Sequence, residues 1–262
     1  MTTLAGRTIA VLRSEHDNLA SIVPGLSAEQ LTGASGASDW TVADVLSHLG
    51  SGAELTRAGL RAALDGTDAP GMEFNQGVWD RWNALSPQDQ ASAWLGSDAA
   101  LLADLEAVPE ERHDDVKVAL SFLPEPLPLA SFAAMRLSEV VQHSWDVRAG
   151  LDPAATLPEA SALLLAEHLS NGLSFMLGFM GKPAAVREHA VIGIGETSYR
   201  IVLTDQVRLT TEDVPTTATF TGELEAALRL VYGRLTPEYT PAGVEVKGNI
   251  SLDELRAAFP GF

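Results

Sequence analysis

The chain has 262 residues, of which 46% are hydrophobic and 20% are charged, so it can form a packed core and is not globally disordered. Its 35 acidic and 17 basic residues give a net charge of −18, which disfavours binding to nucleic acids and to anionic membrane surfaces. The absence of cysteine excludes disulfides, cysteine-ligated metal centres and a cysteine nucleophile. No apolar run reaches the roughly 18–20 residues that span a bilayer. Charged residues near residue 1 exclude the apolar core of a signal peptide, so we expect a cytoplasmic protein.

The first part of the chain repeats apolar residues three and four apart, which is the period of an amphipathic helix. Pro and Gly interrupt this pattern and mark the ends of four long segments. Four helices of this length predict a four-helix bundle. The predicted helices cover residues 3–23, 41–64, 87–108 and 128–150.

A longer connection, residues 66–86, separates the second and third predicted helices. It holds Phe74, Trp79 and Trp82, so we expect it to pack on the bundle. Two tryptophans at i and i+3 can wall a pocket, although core packing is the commoner role.

The second part of the chain changes to β-branched alternation, which is typical of short strands. A helix precedes this pattern, and two further helices alternate with the later strands, so the sequence predicts a small α+β domain. The linker 151–157 is the best boundary, which gives predicted domains 1–155 and 156–262. The predicted helices cover 158–180, 223–232 and 252–259, and the strands cover 189–195, 197–204, 207–211, 217–221 and 244–247.

The second predicted helix carries a histidine at the edge of its apolar stripe. Thr41 followed by Asp44 resembles a capping box, so the helix should begin there. His48 then lies beside the stripe, where it can face the bundle interior. It is interpreted either as a metal ligand or as a half-buried histidine with ordinary partners.

The fourth predicted helix carries an acidic and a basic group on one face. Glu139 and His143 are four residues apart, so both side chains can reach one point, and Asp146 falls on the same face. The alternative is an ordinary Glu–His pair on the surface. Asp146 could orient a ligand from behind, or it could serve only in helix packing.

Together the two helices could supply two imidazoles and one carboxylate. Three protein ligands leave coordination positions open for water or substrate, as in catalytic zinc sites and in open Fe(II) sites. The sequence therefore predicts a catalytic metal site formed by His48, Glu139 and His143. The other histidines have no such context, and we expect His16 to be exposed and His113 to lie in a solvated charged loop.

The motifs of the two helices resemble those of the mycothiol-dependent maleylpyruvate isomerase family. The resemblance rests on Asp39-Trp40-Thr41 with His48, and on Glu139-x-x-x-His143 with Asp146 and Arg148. The C-terminal part adds Gly233-Arg234 after a helix and Val244 to Gly248 before a short final helix; Asn249 stands where an aspartate is expected.

This resemblance implies a fold of the α+β class, with a DinB-like up-down four-helix bundle followed by a sterol-carrier-like domain. It assigns the metal-ligand roles to His48, Glu139 and His143, and it implies mycothiol as the thiol cosubstrate. We expect zinc as the metal, with iron, nickel or manganese as alternatives. Because DinB-like relatives include thiol S-transferases, the scaffold implies thiol chemistry more securely than it implies isomerisation.

The expected reaction is attack by a metal-bound thiolate on a small electrophilic molecule, ending in cis–trans isomerisation or in thiol S-transfer. The thiol must come from outside, because the chain has no cysteine. If the substrate is a dicarboxylate, a cation must offset its charge, and Arg234 is the candidate catalytic residue. The alternative role of Arg234 is to terminate its helix favourably.

Two other classes of function fit the same sequence. One is a thiol-independent hydrolase that uses metal-bound hydroxide at the same site. The other is a non-catalytic module that binds a small molecule. No partner other than a small-molecule substrate and an external thiol is expected.

Overall fold

The computed structural model describes residues 2–120 and 123–261. The chain divides after Asp152 into two compact units. None of the described helices is long and apolar enough to cross a bilayer. A helical N-terminal unit precedes a C-terminal unit with a mixed sheet, which confirms the predicted α+β class.

The N-terminal unit is a bundle of four long helices with short elements between them. Its elements are α1 (Leu4–Ala20), α2 (Ala28–Thr32), α3 (Val42–Asp65), α4 (Met72–Asn83), α5 (Pro87–Glu106), β1 (Lys117–Val118), β2 (Leu127–Pro128) and α6 (Leu129–Leu151). The four predicted helices correspond to α1, α3, α5 and α6. Because α1 and α3 each pack against both α5 and α6, α1 and α3 occupy opposite corners of the bundle.

The N-terminus of α3 has the capping box predicted from the sequence. The Thr41 hydroxyl accepts a hydrogen bond from the Asp44 backbone N–H, and the Asp44 carboxylate accepts from the Thr41 N–H. Two backbone donors that the first helical turn leaves unpaired are thus satisfied. This start fixes which residues of α3 face the interior, and it places His48 in the second turn.

Helix α4 lies within the connection that was predicted only to be packed. Trp82 is buried against α3, and its Nε1 donates to the Glu54 carboxylate at 3.1 Å. A Cβ on Gly50 would lie 2.1 Å from the Trp82 ring, so the ring can dock there only against glycine. Trp79, on the same helix, stays 36% exposed.

The C-terminal unit has a five-stranded sheet in the order β5-β4-β3-β6-β7, in which β3 and β6 are parallel and the other neighbours antiparallel. The strands predicted from alternation are all present. The elements of the C-terminal unit are α7 (Glu159–Leu169), α8 (Leu177–Met180), β3 (Ala190–Ile194), β4 (Arg200–Leu203), β5 (Val207–Thr210), β6 (Ala218–Thr221), α9 (Leu224–Val231), β7 (Glu245–Gly248) and α10 (Leu252–Ala258).

The prediction of one continuous helix over residues 158–180 was wrong. Helix α7 ends at Leu169, and α8 begins only at Leu177. The intervening Ser170, Asn171 and Gly172 explain the break, because Ser and Asn compete with the backbone for hydrogen bonds and Gly is entropically costly in a helix.

Candidate metal centre

Helices α3 and α6 bring three potential metal ligands to one point. His48 Nε2 lies 2.9 Å from Glu139 Oε2, and His143 Nε2 lies 3.6 Å from the same oxygen. One donor atom from each residue lies within 4.8 Å of the other two. The convergence that the sequence required of His48, Glu139 and His143 is therefore present in the fold, and metal binding by them stays a prediction.

His143 is oriented by a carboxylate behind it. Its Nδ1 lies 2.8 Å from Asp146 Oδ2, and the Asp146 side chain is fully buried. A carboxylate only accepts hydrogen bonds, so Nδ1 is the donor in this pair. Nε2, which carries the lone pair in this tautomer, then faces Glu139. This is the arrangement that commonly holds a metal-ligating histidine in place.

Glu139 is ionised under most conditions. Burial opposes its ionisation, although 48% of the side chain remains exposed. The hydrogen bond with His48 and the electrostatic attraction of His143, His48 and Arg136 outweigh this cost and lower the pKa of Glu139 to about 2. At neutral pH it therefore offers the charged oxygen that a divalent cation prefers.

Trp40 packs against both histidines of the cluster. Its ring centroid lies 5.1 Å from that of His48 and 5.7 Å from that of His143, with the second pair nearly parallel. The two imidazole centroids are 4.6 Å apart. The indole thus restricts the rotation of both rings, while 37% of Trp40 remains exposed.

A tight loop before α3 holds Trp40 in this place. The Ser35 backbone N–H and hydroxyl both donate to the Trp40 carbonyl, at 3.1 and 2.9 Å. Gly36 N–H donates to the Asp146 carbonyl at 2.8 Å, which ties the loop to α6. Within the loop Asp39 has φ 63°, a left-handed conformation that side-chain-bearing residues seldom adopt.

A pocket of about 370 Å³ opens beside His48. Helix α4 contributes Trp79 to its wall, whereas Trp82 packs into the bundle as described above. Of the two roles that the sequence left open, Trp79 therefore has that of a pocket wall and Trp82 that of core packing. The lining residues are Asp39, Trp40, Asp44, Ser47, His48, Ser51, Trp79 and Asn83.

A buried polar network lies in the bundle interior. Arg136 donates to Asp98 at 2.7 Å and to the Leu49 carbonyl at 2.8 Å, and His16 Nδ1 lies 2.8 Å from the second Asp98 oxygen. The prediction that His16 is exposed was therefore wrong. Its neighbours on α1 are charged, but Asp98 on α5 supplies a buried partner that the local sequence does not reveal.

His113 is also buried, contrary to expectation. One ring nitrogen lies 2.6 Å from Thr3 Oγ1, and the other lies 3.1 Å from the Val108 carbonyl. The acidic residues around it stay at the surface while the ring fills a gap beside α1. Its role is structural, because both ring nitrogens already have protein partners.

Arg234 lies in the C-terminal unit, directly after α9. Gly233 ends this helix with φ 74°, and the Arg234 backbone N–H donates to the Arg229 carbonyl at 2.7 Å. The guanidinium donates to the Tyr232 carbonyl at 3.0 Å. These contacts fit the helix-terminating role, and a substrate contact by Arg234 stays a prediction.

Comparison with known proteins finds one family model, two curated relatives and two solved structures. The family model described as the mycothiol maleylpyruvate isomerase N-terminal domain matches residues 12–148, which is just over half of the chain and includes all three donors. Two uncharacterized proteins, from two strains of Mycobacterium tuberculosis, are 28% identical over 148 residues, or 54% of this chain. The match covers 55% of each, so the chain spans about half the length of these curated relatives.

Two solved structures share the fold over 100% of both chains. They are crystal structures of the mycothiol-dependent maleylpyruvate isomerase and of a mutant of it, each with a TM-score of 0.68 and 18% identity. The helical bundle and the α+β unit are thus both found in a structurally characterised protein. On the strength of the match to its N-terminal half, the chain belongs to the mycothiol maleylpyruvate isomerase N-terminal domain family.

Proposed function

We propose that this chain is a metal- and mycothiol-dependent enzyme that acts on a small electrophilic molecule. The observation that carries the proposal is the convergence of two imidazole nitrogens and one carboxylate oxygen within 4.8 Å. The names of the family and of the similar structures supply mycothiol as the thiol.

The donor set fits a divalent cation. His48, Glu139 and His143 would hold it, Asp146 fixes the rear nitrogen of His143, and Glu139 supplies negative charge. His48 and Glu139 remain 40% and 48% exposed, which leaves an open side for further ligands. Zinc fits this three-ligand set, and iron, nickel and manganese are the alternatives. When bound, such a cation lowers the pKa of a coordinated thiol and keeps it as thiolate.

The thiolate comes from outside, because the chain has no cysteine. In an isomerisation, its sulfur adds to one carbon of a cis double bond while the electron pair moves onto the activating carbonyl group. Rotation about the resulting single bond and expulsion of the thiolate restore the double bond in the trans form, with no net redox change. In an S-transfer the carbon–sulfur bond is kept and a proton or a leaving group balances the charge.

The protein's own residues would align this reaction. Asp146 holds the His143 ring, and Trp40 limits the movement of both imidazoles and excludes water from one side. Arg234 remains our candidate for contact with a substrate carboxylate. The contact is tested with the variants Arg234→Lys and Arg234→Ala, which both lose the bidentate guanidinium contact. We expect each to raise KM for a carboxylate substrate and to leave the metal content unchanged.

The experiment that tests the proposal measures metal content and thiol-dependent turnover together. We expect stoichiometric metal in the protein purified without chelator, and its loss in His143→Ala with the bundle still folded. His189→Ala is the matched control, because this histidine is exposed in the other unit. Full metal content in His143→Ala contradicts the proposed site. Turnover of a metal-loaded enzyme without any thiol contradicts the proposed chemistry and favours a hydrolase.

A further inference from the structure

The pocket beside the metal cluster has a lining that would be unusual for a site that binds a dicarboxylate. None of its described lining residues is lysine or arginine, whereas two are aspartates and two are tryptophans. Asp39 is exposed and makes no ion pair among the described residues. Among the described residues the Asp44 carboxylate is hydrogen-bonded by uncharged donors of Thr41 and pairs with no cationic side chain, and only the N-terminus of α3 partly offsets its charge.

The arginines on the neighbouring helices do not offset these charges. Arg81 on α4 pairs with Glu54, and Arg136 on α6 is buried against Asp98. Each guanidinium is thus already neutralised by a carboxylate of its own. In the metal-free protein, a carboxylate ligand in the pocket would meet two acidic groups and no lysine or arginine among the described lining residues, which disfavours binding of a dicarboxylate there.

The aromatic part of the lining points to the opposite charge. The face of an indole ring attracts cations, and quaternary ammonium groups are recognised by aromatic side chains combined with acidic ones. Trp40 and Trp79 line the pocket from two different elements, and each is more than one third exposed. Asp39 precedes Trp40 in the chain, and both residues line the same pocket.

We propose that this pocket binds the cationic, ammonium-bearing part of the substrate. The proposal deepens the proposed function, since it names the chemical class of molecule that is presented to the neighbouring metal cluster. The pocket proposal can be tested separately from the proposed function, because binding to the pocket can be measured on metal-free protein. The pocket volume of about 370 Å³ accommodates a trimethylammonium group with several further atoms.

The test compares three molecules of nearly the same shape and different charge. Choline is the cation, dimethylbutanol is its uncharged carbon isostere, and dimethylbutanoate is the matching carboxylate. Their binding to metal-free and metal-loaded protein is measured by calorimetry and by tryptophan fluorescence at low ionic strength. We expect choline to bind the metal-free form about five- to thirtyfold more tightly than dimethylbutanol, and dimethylbutanoate to bind that form most weakly.

Variants assign the effect to the pocket. Asp39→Asn and Trp79→Leu should each weaken choline binding about three- to tenfold while dimethylbutanol binding changes little. Both side chains are at the surface, so the fold should persist, which circular dichroism checks. Asp80→Asn is the matched control, because Asp80 follows Trp79 on α4 and pairs with Gln76.

Three results would overturn the proposal. They are equal affinity for choline and dimethylbutanol, tighter binding of dimethylbutanoate to the metal-free protein, and no detectable binding of choline. A protein that binds choline but contains no metal would instead contradict the metal-dependent function while it leaves the pocket proposal in place. The two proposals can therefore fail separately.

Discussion

Arg136 and Asp98 form a buried ion pair between α6 and α5, with 2.7 Å between Nη2 and Oδ1 and at most 4% exposure of either side chain. The same Arg136 nitrogen donates to the carbonyl of Leu49, the residue after His48. One guanidinium thus joins α6, which carries Glu139 and His143, to the backbone of α3 beside the third donor. The pair links the packing of the bundle to the convergence of the candidate metal ligands.

Removing one partner of this pair should destabilise the N-terminal unit strongly. Arg136→Met leaves a buried carboxylate without its cation, and we expect a loss of about 3–5 kcal/mol of unfolding free energy in urea. Arg61→Met is the control, because Arg61 is 55% exposed in its pair with Asp104 and its loss should cost far less unfolding free energy. Similar losses in both variants would contradict a special role for the buried pair.

The stability contributed by Asp98 should depend on pH in a defined direction. Burial alone would raise the pKa of Asp98. The charge of Arg136 and the hydrogen bonds with His16 and Arg136 have the larger effect and bring the pKa below the ordinary 3.8. A lowered folded-state pKa means that the contribution is fully present above 3.8 and is lost as the pH falls through the folded value. The difference in unfolding free energy between the parent protein and Asp98→Asn should shrink below that pH. A constant difference down to about pH 2 would argue against this titration.

Asp146 should tune metal affinity through His143. In Asp146→Ala the ring loses the acceptor that fixes its tautomer, and we expect zinc affinity to fall about 10- to 100-fold, with a smaller loss in Asp146→Asn. Competition with a chromogenic chelator measures both, and thermal unfolding of the metal-free variants separates lost affinity from lost structure. Unchanged zinc affinity in Asp146→Ala would show that the hydrogen bond does not orient a ligand.

Replacing a helical glycine by alanine should have opposite effects on stability at Gly50, which contacts Trp82, and at Gly96, which has open space beside it. Gly50→Ala places a methyl group into the Trp82 ring and should cost about 1–3 kcal/mol of unfolding free energy by forcing α4 outward. Gly96→Ala, inside α5, meets no atom within 4 Å and should stabilise the protein by about 1 kcal/mol through helix propensity. Urea unfolding measures both, and destabilisation by Gly96→Ala or tolerance of Gly50→Ala would contradict the packing described.

The parts of the site that lie on one helix were predictable from the sequence. Glu139, His143 and Asp146 share a face of α6 because their spacing follows the helical period, which needs no knowledge of the fold. The position of His48 relative to them was a prediction of a different kind, because the register between two helices depends on side-chain packing across the bundle. The resemblance to a family supported the placement of His48 beside Glu139 and His143, whereas the spacing of residues along the chain could not establish it.

Two of the errors have the same origin. His16 looked exposed because its neighbours in sequence are charged, whereas its partner Asp98 comes from α5. Helix α4 was missed because Gly and Pro punctuate both its flanks, and its stability comes from docking Trp82 onto α3. In both cases a tertiary contact outweighed the local pattern.

The loop that carries Trp40 is tied by Gly36 to the backbone carbonyl of Asp146, whose carboxylate in turn holds His143. A candidate ligand and the aromatic ring that covers it therefore share a single anchoring residue. Any displacement of Asp146 would move both His143 and Trp40. Because a bound cation should hold His143 in place, the rate at which a protease cleaves near Asp39 should depend on whether the cation is present. Protection of this loop on adding zinc would give a structural reporter of occupancy that requires no substrate.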